Sequence, residues 1–181
     1  MKEDKDYTSF SKTNMPNKFI LDACCGGKHL WFDKDNKNTI FMDIREVEQG
    51  EIELQPNWCV KPNVIGDYTD MPFKDKSFKL IVWDIPHKIK NYEKSIISKK
   101  YGFLGEDWKS NTKRGFKECM RVLDDYGVLE FKWSDSEIPF KKVLALIEQE
   151  PLFQNTTNYK ATSKTKWFCF MKIPKEDSSK D

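Results

Sequence analysis

Between Phe78 and His87 the chain reads Phe-Lys-Leu-Ile-Val-Trp-Asp-Ile-Pro-His, an apolar stretch that stops at an acid, a proline and an imidazole. A short apolar run of this kind predicts a buried parallel strand, and residues just past the carboxyl ends of such strands line the ligand crevice of an open α/β sheet. Asp84, Pro86 and His87 are therefore the first candidates for chemistry. A carboxylate and a nearby backbone carbonyl can accept the hydrogens of an amino group, a proline stiffens the turn, and a flat ring can stack on the base that bears the amine. A capping aspartate and a surface-turn histidine are the alternatives at the same positions.

Three more acids stand at the ends of apolar runs. Asp22 follows Phe19-Ile20-Leu21, Asp43 follows Thr39-Ile40-Phe41-Met42, and Asp67 follows Asn63-Val64-Ile65-Gly66. Those runs predict three strands, with Phe78 to Trp83 a fourth. Apolar residues at helical spacing predict a helix over 111–123, and Asp124-Asp125-Tyr126-Gly127 then turns the chain into a fifth strand over 128–133. A helix over 139–149, with Phe140, Val143, Leu144 and Ile147 on one face, and a last strand over 167–173 complete the pattern. Such alternation implies an α/β domain with a mostly parallel sheet covered by helices.

At 181 residues the chain has room for one domain, read as 18–173 between polar tails at 1–17 and 174–181. A third of the residues are charged, which suits a compact protein with a polar surface, and no apolar run approaches a membrane span. With no signal-peptide core at the start, the expectation is a cytoplasmic protein with no membrane contact. The five cysteines show no Cys-x-x-Cys spacing and there are two histidines, so no metal is expected.

The net charge of +2 is unevenly spread. Residues 88–121 carry a formal +6, leaving −4 for the rest of the chain. Within that segment, and chiefly in a basic loop or insertion at 88–110, aromatic residues alternate with lysines as on a surface that neutralises phosphates and stacks bases. Lys99, Lys100, Tyr101, Trp108, Lys113 and Arg114 are the candidate contacts. A solvated helix face or a lid over the crevice would have the same composition.

The pattern over residues 18 to 173 resembles the class I, Rossmann-like methyltransferases that use S-adenosylmethionine. The resemblance rests on Gly66-Asp67-Tyr68-Thr69-Asp70-Met71-Pro72-Phe73 leading into Lys74-Asp75-Lys76-Ser77-Phe78, and on Arg121-Val122-Leu123 with Tyr126-Gly127. The opening Asp22-Ala23-Cys24-Cys25-Gly26-Gly27 and the later Lys164-Thr165-Lys166-Trp167 are similar to small methyltransferases of phages and prophages. Asp84 to His87 resembles the Asp-Pro-Pro-Tyr motif of amine-methylating members, with Ile85 in place of the first proline and His87 in place of the aromatic ring.

The resemblance implies helices on both faces of the sheet and an antiparallel C-terminal strand. It implies S-adenosylmethionine as cofactor, seated by Asp22, Ala23, Cys24 and Gly26 in the first loop, with the ribose on Asp43 and Ile44 and adenine on Asp67 and Tyr68. Arg45 would neutralise Asp43. The catalytic set becomes Asp84, Pro86 and His87, and the implied reaction is methylation of an exocyclic base amine, adenine first, in DNA or RNA. Methylation of a small molecule or protein side chain, or a non-catalytic binding module, stays open, since both motifs depart from the usual form. With no separate target-recognition domain, duplex reading would need a homodimer, a partner subunit or the basic segment itself.

Overall fold

The computed structural model describes residues 18–91, 95–157 and 165–174. Strands β1 (Ile20–Asp22), β2 (Thr39–Asp43), β3 (Val64–Ile65) and β4 (Phe78–Trp83) form where the apolar runs predict them. Helix α1 (Ile96–Tyr101) and helix α2 (Trp108–Val122) follow, then β5 (Leu123–Ser134), helix α3 (Phe140–Leu144), β6 (Phe153–Thr157) and β7 (Thr165–Met171).

The seven strands make one sheet in the order β3-β2-β1-β4-β5-β7-β6. The first five strands run parallel, while β7 lies antiparallel between β5 and β6. Chain order reverses between β1 and β4, where Asp22 pairs with Val82, so a crevice opens there at the carboxyl edge. Asp22, Asp43 and Asp84 end at that edge because each closes, or follows, a strand of one parallel set.

β2 is buried along its whole length, as a strand covered on both faces must be. Leu21, Met42, Ile81, Trp83, Leu129, Phe131 and Phe170 are at or near zero exposure and form the main core with Phe116, Cys119 and Val122 of α2. Gly115 lets α2 settle on the sheet: a Cβ there would stand 2.5 Å from the Tyr68 ring and 2.8 Å from Trp83. Arg121 clamps the segment after β3 to the same helix. Its guanidinium donates to the Met71 and Phe73 carbonyls and to Glu118, and the Glu118 carboxylate accepts the Met71 N–H at 2.8 Å.

Several elements differ from the sequence reading. The connections over 23–38, 44–63 and 66–77 carry no helix, so helical cover is thinner than the alternating pattern suggests. Residues 44–63 instead fold on a small core of Ile52, Trp58 and Val60, closed by a Val47–Val60 bridge. α2 begins at Trp108, three residues before the predicted start. α3 ends at Leu144, after which Leu146 and Ile147 bond back three residues and still bury the predicted face. The predicted turn at 124–127 lies inside β5 as a bulge, where the pairing with β4 shifts between Phe78 and Leu80 and Tyr126 adopts φ 60°. β6 is an addition: Phe153-Gln-Asn-Thr-Thr lies at the sheet edge and lacks an apolar run. The tails at 1–17 and 175–181 and Lys164 lie outside the described residues, and no described helix is long and apolar enough to cross a membrane.

Candidate active site

A cleft of about 770 Å³ opens at the switch point between β1 and β4. The loop after β1 forms its floor. Gly26 adopts φ +47°, which favours glycine, while at Gly27 a Cβ would collide with the Trp58 ring at 2.8 Å. The Gly26 N–H donates to Asp43 Oδ2 at 2.9 Å, so the loop is tied to the end of β2. Asp43 Oδ1 accepts the backbone N–H of Arg45 at 3.0 Å and its Nε at 3.3 Å. A carboxylate offers about four acceptor positions, and the remaining one lies on Oδ2.

Arg45 extends beyond Asp43. Its two terminal nitrogens donate to the carbonyls of Lys99 and Lys100 at 3.3 and 3.2 Å, in the last turn of α1, whose carbonyls lack partners within the helix. α1 brings Tyr101 to the cleft mouth, edge-on to Trp58 at 5.5 Å. Lys100 stands over the Trp58 ring at 4.1 Å, and His29 packs on that ring at 4.4 Å.

Asp22 is 1% exposed. Its Oδ2 accepts Trp31 Nε1 at 2.7 Å and its Oδ1 the Cys24 N–H at 3.4 Å. Burial pushes this carboxyl up to about 7; the Trp31 and Cys24 hydrogen bonds pull it back in part, and Asp84 and Asp43 add to the rise. The same burial, with the neighbouring acids, raises the Cys24 and Cys25 thiols and keeps them protonated. On the opposite wall Asp67 Oδ1 accepts the Thr69 N–H at 2.8 Å, and Tyr68 lies half-buried against Trp83.

Asp84 is held from two sides. Lys132 Nζ lies 2.6 Å from Oδ2 and His87 Nε2 lies 3.3 Å from Oδ1. Burial alone would raise this carboxyl, but the contacts with His87 and Lys132 outweigh it and hold the acid below its usual range. Pro86 and His87 follow on the same wall.

The proposed cofactor residues Asp22, Ala23, Cys24, Gly26, Asp43, Ile44, Asp67 and Tyr68 all line this one cleft, together with Asp84, Pro86 and His87. The basic set is dispersed. Tyr101 lines the mouth, Lys100 leans on Trp58 and Lys99 is exposed on α1. Trp108 is corrected from surface to core: at 9% exposure it packs among the apolar residues under α2 and offers no face to a base. Lys113 pairs with Glu148 at 3.1 Å and Arg114 donates to the Thr69 carbonyl at 3.4 Å; neither lines the cleft. Lys132 and Trp31 are site residues that the sequence reading missed. For Lys132 the signal was a cation inside the apolar run of β5, one residue past the partner of Trp83.

No protein-family model matches the sequence, and no curated protein matches it. Solved structures match the fold. A SAM-dependent methyltransferase of Methanosarcina mazei is 14% identical, with TM-score 0.53 over 90% of this chain and 96% of the other. The N-methyltransferase NodS of Bradyrhizobium japonicum is 10% identical, with TM-score 0.52 over 93% of each chain. The [4+2]-cyclase SpnF is also 10% identical, with TM-score 0.51 over 92% of this chain and 79% of the other. The chain thus has the Rossmann-like methyltransferase fold. A cyclase among its neighbours means that the reaction must be argued from the site.

Proposed function

We propose that this protein is an S-adenosylmethionine-dependent methyltransferase that methylates an exocyclic base amine, adenine first, in unpaired DNA or RNA. One observation carries the reading: Asp43, with an acceptor position left on Oδ2, is bonded to the glycine loop on one side of a cleft whose other wall bears Asp84, Pro86 and His87. The residues present fit the cofactor. Asp43 suits a ribose hydroxyl, the glycine loop permits close backbone approach by the methionine part, Asp67 and the Tyr68 backbone suit the adenine edge, and Asp22 supplies negative charge beside a cationic ligand.

When bound, S-adenosylmethionine supplies a methyl group on a cationic sulfur that a lone pair can displace. The chain's own task is then to aim that lone pair, because positioning provides most of the acceleration in a direct displacement. Pro86 stiffens the wall, and His87, Tyr101 and Phe103 present rings to the cleft. A flat base carrying an amine suits such walls, and an unpaired base spares the unstacking free energy.

Of the six anticipated phosphate and base contacts only Tyr101 lines the cleft and Trp108 is buried, which favours a second reading, a small planar amine, although Lys113 and Arg114 stay exposed on α2. Labelled methyl transfer to single-stranded DNA, RNA, duplex DNA, protein and free nucleosides separates the two. The first reading expects transfer to single strands, with a log-log salt slope of about −0.7 per neutralised phosphate. Transfer to nucleosides alone, without that slope, establishes the second. Calorimetry showing no S-adenosylmethionine binding would overturn both.

A further inference from the structure

An amine-methylating site with a free Asp84 would let that carboxylate receive the substrate's hydrogens. Here each oxygen already carries one partner, so two of the carboxylate's acceptor positions are taken up by the chain's own groups. The parallel register pairs Trp83 with Phe131, so the next residues, Asp84 and Lys132, emerge side by side at the carboxyl edge, and Nζ reaches Oδ2 at 2.6 Å. The two side chains are 20% and 22% exposed, a largely desolvated pair in which losing either partner strands the other's charge. Oδ1 meets His87 Nε2 at 3.3 Å.

The other imidazole nitrogen is unusual. His87 Nδ1 is buried and has no hydrogen-bond partner among the described residues, although the ring lines the cleft and stands edge-on to Trp133 at 5.3 Å. In a neutral imidazole one nitrogen donates and the other accepts. A proton on Nε2, the nitrogen 3.3 Å from the Asp84 carboxylate, leaves the lone pair on Nδ1. A buried acceptor without a partner is unfavourable unless something arrives to fill it.

We infer that Lys132 fixes Asp84 as the orienting carboxylate of His87, and that His87 Nδ1 accepts the proton released by the group being methylated. The inference rests on the methyltransferase reading and narrows its substrate to acceptors bearing a hydrogen, such as an exocyclic amine or a hydroxyl. The acceptor's lone pair forms the bond to the methyl carbon, the carbon–sulfur bond breaks with its electron pair passing to sulfur, and the acceptor's proton moves to Nδ1. An acid-oriented imidazole is a well-founded base. Lys132 is a positioning residue in this scheme. Among the described residues, the other titratable groups facing Asp84 are Asp22 on β1, Cys24 in the loop after it and Tyr101 on α1.

Long-range nitrogen–proton NMR of the imidazoles tests this without turnover, since the chain has two histidines and His29→Gln assigns them. The expected pattern at pH 8 is a protonated Nε2 and a bare Nδ1 on His87. In Lys132→Met the uncompensated carboxylate should draw a second proton onto the ring at a pH where the wild type carries one, while Lys132→Arg keeps the wild-type pattern. On the best acceptor, the acid limb of kcat against pH should move up by about one unit or more in Lys132→Met, and His87→Gln should lose about 100-fold or more. A wild-type ring protonated on Nδ1 instead, or a pattern and pH limb unmoved in Lys132→Met, would overturn the inference. A protein that shows the expected nitrogens but binds no S-adenosylmethionine would defeat the methyltransferase reading and leave the orientation of the ring standing.

Discussion

Replacing Asp22 by Asn should stabilise the protein at alkaline pH while weakening its hold on a cation. The carboxyl is raised from 3.8 to about 7, chiefly by burial. About three pH units at roughly 1.4 kcal/mol each give a pH-dependent contribution of at most about 4 kcal/mol. Its sign follows from proton counting. Between pH 4 and 7 the folded protein retains a proton that the unfolded chain has released, so stability falls as pH rises through that window and levels off above it. Asn keeps the acceptor for Trp31 Nε1 and gives up the 3.4 Å contact from Cys24. Urea unfolding from pH 4 to 8.5 should show the two proteins similar at pH 4 and the wild type the weaker by up to about 4 kcal/mol at pH 8. Acids held below their usual range, such as Asp84 and Glu118, are common to both proteins and drop out of the difference. Cofactor affinity should run the opposite way, rising in the wild type from pH 6 to 8 with release of a proton and staying level in Asp22→Asn. Parallel stability profiles would refute the reasoning.

Asp43→Ala should weaken S-adenosylmethionine binding by about 1.5–3 kcal/mol by calorimetry, and it should also lower the melting temperature because Gly26 N–H and Arg45 lose their acceptor. In Gly115→Ala the helix gains about 1 kcal/mol of propensity but crowds Tyr68 and Trp83 at a cost of about 1–3 kcal/mol; unfolding should show a net loss of up to about 2 kcal/mol, with weaker cofactor binding as Tyr68 shifts. Lys99 and Lys100 changed together to Ser should reduce oligonucleotide affinity in a filter-binding assay, whereas Lys113 and Arg114 changed to Ser should not.

Where strands lie inside the sheet with a neighbour on each side, apolar runs made the structure legible. β2 and β4 end where their acids predict, and the cleft gathers every residue proposed for the cofactor. Edge and surface elements were not legible in the same way, because β6 buries too little to require an apolar run. Trp108 shows a different failure. The buried stripe of α2 passes through Thr112, Gly115, Phe116, Cys119 and Val122, and Trp108 lies eight residues before Phe116, on the same face. Carrying the helical period back one more turn would have assigned it to the core, but basic neighbours made it read as a stacking platform. Lys132 was hidden by the opposite effect, since alternation along β5 makes a lysine read as the solvent side of a strand. Its partner is set by register across the sheet, which single-strand periodicity does not report.

The sparse helical cover falls on the half of the sheet that carries the proposed cofactor seat. β1 has three residues, β3 two, and the first three connections are loops, whereas the half built on β4, β5 and β7 has long strands and α2. Local opening free energies follow buried contact and cover, so backbone amides around β1 to β3 should exchange with solvent before those of β5 and β7. A ligand bridging the loops after these strands would then supply stability that helices supply elsewhere, growing with the logarithm of its concentration. The protein's proteolytic lifetime would consequently track how much of that ligand surrounds it.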